Sequence, residues 1–225
     1  MESTVGAVWG VVPARNEEEL IGACLDSLRR AMDRVSVPVA VTVVLDDCTD
    51  ATAARIPSWV RAVVVRHRSA GAARRAGFRD APAGSGVWYA TTDADSLVPP
   101  TWFEGIQASA EAGHDVRAGT VVVADRLDRD ADVISRHDAA YRQGADHRHI
   151  HGANLALSAD SYHAIGGFRA LPEHEDVDLI ARCLAGGRSV DWSATTPVAT
   201  SARRDNRVSA GFGGHLTRLE EEFTS

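Results

Sequence analysis

Lysine is absent: all 24 basic positions of this 225-residue chain are arginine. That excludes any chemistry through a lysine nucleophile or a Schiff base. Codon bias is the plain account of an all-arginine chain, and heavy phosphate recognition is the alternative. Cysteine is scarce, with Cys24, Cys48 and Cys183 far apart and no C-x-x-C pair. Neither a disulfide scaffold nor a structural zinc site is expected, and a reducing compartment fits. An excess of positive charge is missing too. Acidic residues number 31 against 24 basic, a formal charge of -7 that offers DNA or anionic lipid no global attraction. The longest uncharged apolar run, 35–45, is too short to cross a bilayer. Met1-Glu2-Ser3-Thr4 has neither the charged start nor the apolar stretch of a signal peptide, so a cytoplasmic protein without a membrane span is expected. The first strand-to-helix turn, 13–17, contains no glycine, which excludes the G-x-G-x-x-G of a dinucleotide-dependent dehydrogenase.

What is present reads as one domain of ordinary globular composition, 44% hydrophobic and 24% charged. The first half alternates β-branched apolar runs with amphipathic segments. Strands are predicted at 5–12, 37–45, 60–65, 87–92 and 116–124. Helices are predicted at 17–32, from about 49, at 70–79, and from Pro99-Pro100 to 112. Such alternation predicts an α/β fold, a mostly parallel central sheet with helices on both faces. The second half is less regular: helices at 128–142, 159–165 and 176–184, a histidine-rich loop at 147–151, and a Gly, Ser and Arg-rich stretch from 195 to 214 expected to be mobile. The H-x-H-x-H of that loop reads as solvated rather than as a zinc site.

In a parallel sheet the ligand sits beyond the carboxyl ends of the strands. Strand one ends in Pro13-Ala14-Arg15-Asn16-Glu17, which can cradle a polar ligand or simply cap a helix with Asn16. Strand two ends in Asp46-Asp47-Cys48-Thr49-Asp50, where a helix cap accounts for Asp47 or Thr49 but not for all three acids. Strand four ends in Thr92-Asp93-Ala94-Asp95-Ser96, whose paired carboxylates form a half-site for Mg²⁺ or Mn²⁺. Farther on, Glu175-Asp176 opens a helix, favoured by its dipole or serving as a general base in a cleft.

Taken in order, these segments resemble family 2 glycosyltransferases, of GT-A fold. The resemblance rests on Val11 to Glu17, on Val44 to Thr52, on the glycine- and alanine-rich Gly71 to Gly77, and on Thr92 to Ser96. It continues through Gly152-Ala153-Asn154-Leu155-Ala156, Gly166-Gly167-Phe168 and Glu175-Asp176, covering roughly 5–190. It implies a single Rossmann-like GT-A domain over 1–225: a nucleotide-sugar-binding half, 1–124, and an acceptor-binding half, 125–225, with a flexible C-terminal segment. Cys48 stands where the family usually has Gly-Ser, and the Q-x-x-R-W of processive synthases is absent.

The resemblance further implies metal-dependent, inverting, non-processive transfer of one sugar from a nucleoside diphosphate sugar to an acceptor hydroxyl. It assigns Pro13, Ala14, Arg15, Glu17, Asp46, Arg74, Asp93 and Ala94 to the nucleotide sugar, with Asp46 reading the base. Asp95 holds Mg²⁺ or Mn²⁺, Asn154 and Glu175 bind the acceptor, and Asp176 is the catalytic base. A UDP-sugar donor is favoured, with a small-molecule or lipid-linked acceptor and no nucleic acid; a homodimer is left open. His215 either completes the metal site or is solvent-exposed, and Arg203, Arg204 and Arg207 either clamp the diphosphate or form a solvated loop. The alternatives are a catalytically idle nucleotide-sugar-binding protein on the same fold, or a nucleotidyltransferase.

Overall fold

The computed structural model describes residues 5–123 and 147–201. Eight strands among them form one sheet in the order β3-β2-β1-β4-β7-β6-β8-β5. They are β1 (Ala7–Ala14), β2 (Val39–Asp46), β3 (Arg61–Val65), β4 (Val87–Thr91), β5 (Ser96–Leu97), β6 (Val116–Val123), β7 (Leu155–Ser158) and β8 (Val190–Thr200). The helices are α1 (Ile21–Met32), α2 (Ala70–Phe78), α3 (Trp102–Glu111), α4 (Ala159–Ala164) and α5 (Glu175–Ala185).

β1, β2, β3 and β4 run parallel, as the β-branched runs predict. β7 is antiparallel to both β4 and β6, and β5 is antiparallel to β8, so the sheet is mixed though mostly parallel. Alternate residues feed two cores. Val8, Val12, Val43, Trp88 and Ala90 face Ile21, Leu25 and Leu28 of α1 and Trp102, Phe103 and Ile106 of α3. Val11, Val44 and Tyr89 face Ala73 of α2, Tyr162 of α4 and Leu179 and Ile180 of α5. The spacing of Ile21, Cys24, Leu25 and Leu28 puts one stripe of α1 inside. Truncating such a buried leucine to alanine costs about 2–5 kcal/mol.

Three expectations change. The first helix begins at Ile21 rather than Glu17, and its cap is Leu20 without a side-chain bond, so Asn16 is not the N-cap. The short helix expected near Thr49 is a 3-10 turn at Thr52–Arg55. The stretch from 195, expected to be mobile, is strand as far as Thr200. β6 and β8 lose register between Gly119↔Ser193 and Val121↔Val198, where β6 advances two residues and β8 five. This bulge accommodates Pro197, which cannot donate to a regular ladder. The helix expected at 128–142, the segment from 202 to 214 with Arg203, Arg204 and Arg207, and His215 lie outside the described residues.

Candidate active site

The carboxyl ends of β1, β2, β3 and β4 lie along one edge of the sheet, and the start of α5 is tied to that edge through Arg74. Among the described residues four non-glycine residues are left-handed, each in a loop beside these elements: Asn16 (φ 55°) after β1, Asp47 (φ 56°) after β2, Arg68 (φ 52°) after β3 and His174 (φ 60°) before α5. Asn and Asp adopt this conformation with little penalty, whereas Arg and His are held there by their surroundings.

The three acids after β2 divide their work. Asp46, 4% exposed, accepts backbone amides from His67 (2.6 Å), Arg68 (2.9 Å) and Ser69 (3.0 Å), shaping the loop into α2. Asp47 pairs with Arg68 Nε at 2.5 Å, and that hydrogen bond holds its carboxyl below the ordinary value. Asp50 accepts from the amides of Glu18 (3.1 Å) and Thr52 (3.0 Å), tying the turn to the residues ahead of α1. The strand-one loop joins the same lattice. Asn16 Oδ1 accepts from the Thr49 amide at 2.7 Å, and buried Glu17 donates its amide to Thr52 Oγ1 at 2.7 Å. Pro13 and Ala14 are paired with Val44 and Leu45 of β2, and Arg15 adds positive charge beside Asp47.

Arg74 is the centre of the site. It is 3% exposed; Nε donates to Thr91 Oγ1 (3.0 Å), Nη2 to Asp93 Oδ1 (2.6 Å) and Nη1 to Glu175 Oε1. Burial opposes its charge, but Asp93, Glu175 and Asp176 outweigh that and raise its pKa. Its guanidinium carbon lies 5.7 Å from the Phe168 ring, so the Gly166-Gly167-Phe168 segment supplies a face for the cation. Gly167 itself is left-handed (φ 68°), and a Cβ there would lie 2.5 Å from the Tyr162 ring.

Burial pushes the Asp93 carboxyl up to about 6, with Arg74 opposing and Asp95 and Glu175 adding to the rise. Ala94 is buried in the core between the two aspartates. Asp95 has Ser96 Oγ beside its carboxylate at 3.3 Å, and its backbone oxygen accepts from the Ser201 amide at 3.3 Å. Ser96 in turn donates to Thr200 Oγ1 at 2.9 Å, so β8 braces this turn. Asp176 Oδ2 accepts from the Gly152 amide at 2.7 Å, and Oδ1 from the Val177 amide at 2.8 Å. Burial raises its pKa, Arg74 lowers it and Glu175 raises it, for a net rise that makes it a stronger base than a free aspartate.

Among the described residues no cluster of three or more His, Cys, Asp or Glu side chains could hold a metal ion. Asp93 and Asp95 are instead a pair of hard oxygen donors two residues apart. That donor set fits Mg²⁺ or Mn²⁺, which keep waters and take phosphate oxygens from a substrate. It does not suit zinc, which favours a closed tetrahedron of nitrogen and sulfur.

Asn154 is a buried hub. It is 2% exposed; both amide hydrogens go to backbone oxygens, of Thr120 (2.8 Å) and Thr196 (2.9 Å), and Oδ1 accepts from Trp102 Nε1 (2.9 Å). Its amide knits the 3-10 turn at 152–154 to β6, β8 and α3. Several participants had no sequence signal. Thr91 reads as plain strand, and Cys24, whose thiol donates to the Asp93 carbonyl at 3.3 Å from beneath, reads as helix core. Burial pushes that thiol far above its usual range, so it stays neutral.

The family described as "Glycosyl transferase family 2" matches residues 11–170. No curated protein matches the chain. Among solved structures, S. aureus TarS 1-349 in complex with UDP-GlcNAc superposes with a TM-score of 0.66 at 14% identity, over 94% of this chain and 64% of that one. Mannosyltransferase PcManGT from Pyrobaculum calidifontis, in complex with GDP-Man and Mn²⁺, gives 0.64 at 19% identity, over 89% of this chain and 58% of that one. The chain therefore spans less than two thirds of either structure. At these identities the likeness is one of fold.

Proposed function

The chain belongs to glycosyl transferase family 2, and from that premise we propose that it moves one sugar from a nucleoside diphosphate sugar to an acceptor hydroxyl, with inversion and without processivity. The observation that carries this reading is the pair of salt bridges made by Arg74. One guanidinium binds Asp93 of the D-x-D turn and Glu175 of the E-D pair, so the candidate donor-side carboxylates and the segment of the candidate base are brought side by side.

Asp95, with Asp93 beside it, would hold Mg²⁺ or Mn²⁺, which neutralises charge on a departing diphosphate. The nucleobase end falls to the turn after β2, where Asp46 orders the loop and Asp47 is the more accessible carboxylate, its side chain 21% exposed. An acceptor-only group there favours a base that presents an N–H, and a UDP-sugar is our first choice. Asp176 takes the acceptor's proton as the hydroxyl attacks from the face opposite the leaving group. Its raised basicity suits that role. Glu175 orients α5 at the acceptor side, and Asn154 acts through the fold rather than by touching the acceptor. Beyond residue 201 the chain carries Arg203, Arg204 and Arg207, which we assign to the diphosphate on the chemistry of the guanidinium alone.

The test is thermal shift with UDP, GDP, TDP and CDP, each with Mn²⁺ and with EDTA. A nucleotide at a hundredfold its dissociation constant stabilises by about 2.7 kcal/mol. A shift for one nucleotide that needs Mn²⁺ and disappears in Asp95→Ala is the expected result, followed by release of that nucleotide from its sugar donors. No shift with any of the four overturns the donor site.

A further inference from the structure

We infer that Arg74 is a positioning residue: it acts beneath the donor, clamping the start of α5 to the end of β4 so that Asp176 is held at a fixed distance from the donor carboxylates. The inference rests on the functional reading above and departs from it in taking Arg74 off the nucleotide.

Four segments far apart in sequence close on this side chain. Thr91 and Asp93 come from the end of β4, Phe168 from the loop after α4, Glu175 from the start of α5, and Gly152 from the turn before β7. Glu175 is 101 residues from Arg74 and Asp93 only 19, so the guanidinium joins a local contact to a distant one. The arrangement forms a ring. Arg74 holds Glu175; the next residue, Asp176, accepts the Gly152 amide at 2.7 Å; and Gly152 packs back on Arg74, where a Cβ would lie 2.4 Å from Nη2. Asp176 is thus fixed twice by one guanidinium, through the chain at Glu175 and through the backbone at Gly152.

A second close approach locks the helices. A Cβ on Gly71 of α2 would lie 2.2 Å from the Arg169 carbonyl and 2.9 Å from Cβ of Glu175, so α2 packs directly on the backbone of the loop after α4 and on the Glu175 side chain at the start of α5. With Arg74 buried between two carboxylates, its charge is spent on holding protein groups in place. Only a planar fork does this. A lysine ammonium has the charge but cannot meet a hydroxyl and two carboxylates in one plane.

The test compares Arg74→Lys, Glu175→Gln and the double variant with the wild type. Three readouts are taken: UDP affinity with Mn²⁺ by calorimetry, nucleoside diphosphate release from UDP- and GDP-sugars, and amide exchange at 152 and 174–178. A misplacement of about 1 Å at a reacting group lowers turnover by about 100-fold. Each single variant should therefore lose about 10–100-fold in kcat with UDP affinity within about threefold of wild type. Exchange at 152 and 174–178 should quicken in both, and the double variant should be no worse than Arg74→Lys, because both remove one link. If Arg74→Lys does not fold, Glu175→Gln, which removes the ion pair to Nη1 at nearly unchanged side-chain volume, carries the same readouts. Loss confined to UDP affinity puts Arg74 on the diphosphate and overturns the inference, as do losses that multiply in the double variant. If the wild type releases no nucleotide from any donor, the functional reading fails separately. Exchange then decides alone, and unchanged protection at 152 and 174–178 in Arg74→Lys overturns the inference.

Discussion

Gly152→Ala is the sharpest probe of this site, because the backbone tolerates alanine there and the neighbours do not. Gly152 has no left-handed φ, so conformational freedom is not what glycine supplies. It supplies space: an added Cβ would lie 2.4 Å from Nη2, 2.6 Å from Cζ and 3.0 Å from Nη1 of Arg74. Ordinary contact needs roughly 1 Å more. The guanidinium cannot retreat without stretching its bonds to Thr91, Asp93 and Glu175. Overpacking alone costs about 1–3 kcal/mol, and losing one partner of a buried ion pair about 3–5 kcal/mol. A cost of about 2–4 kcal/mol lies between them, and at about 2–4 °C per kcal/mol for a chain of this length Tm should drop by roughly 4–16 °C. Gly22→Ala is the matched control. Gly22 lies in α1 with nothing within 4 Å of an added Cβ. There the same substitution should stabilise by about 0.5–1 kcal/mol through helix propensity. Calorimetry of the two variants beside wild type should give shifts of opposite sign. A Gly152→Ala protein melting within about a degree of wild type would refute the reasoning.

Asp176→Asn should keep Mn²⁺-dependent UDP binding while turnover falls by about 10²–10⁴-fold; transfer at the normal rate would put the base elsewhere. Because burial raises the Asp176 carboxyl, the acid limb of kcat should lie above the ordinary aspartate value, with activity lost as pH falls through it. A limb at or below that value contradicts the assignment. In EDTA, the protonated Asp93 is the form the fold favours. Its contribution to stability is full below 3.8 and is lost as pH rises through about 6. Wild-type Tm should therefore fall more steeply than that of Asp93→Asn across this window, and parallel profiles would remove the shift. Asn154→Ala strands the Trp102 Nε1 donor and two carbonyls, each orphan costing about 1–3 kcal/mol, so Tm should drop with acceptor KM unchanged. A rise in acceptor KM at unchanged Tm would return Asn154 to the acceptor.

Sequence carries the fold wherever one local signal decides. β1, β2 and β4 are largely buried on both faces and read as uncharged runs rich in β-branched and aromatic side chains up to their last residues. β7 is four residues, Leu-Ala-Leu-Ser, without a β-branched side chain, and its pairing comes wholly from β4 and β6. β8 hides behind Pro197 and a run of small residues, because a bulge makes room for them. The site divides in the same way. The D-x-D and E-D segments stand out as acids at element ends, but their joining through Arg74 is invisible at a separation of 101 residues. The triple acids after β2 are ambiguous in sequence because Asp46, Asp47 and Asp50 differ only in their partners, drawn from the loop after β3, from Arg68 and from Glu18. The bonds of Asn154 to Trp102, Thr120 and Thr196 are equally illegible, because their partners lie 34 to 52 residues away.

The bracing of the Asp95 turn by β8 gives the protein a timetable. β5, residues 96 and 97, pairs with β8 at 199 and 200, and Asp95 receives its backbone bond from Ser201. Synthesis runs from the amino end, so β1, β2, β3 and β4 can assemble on the ribosome long before these partners exist. A nascent or stalled chain shorter than residue 201 carries the nucleotide-side strands while its D-x-D turn has nothing to close against. Among the described residues, the Asp95 turn is therefore one of the last parts to find its partners.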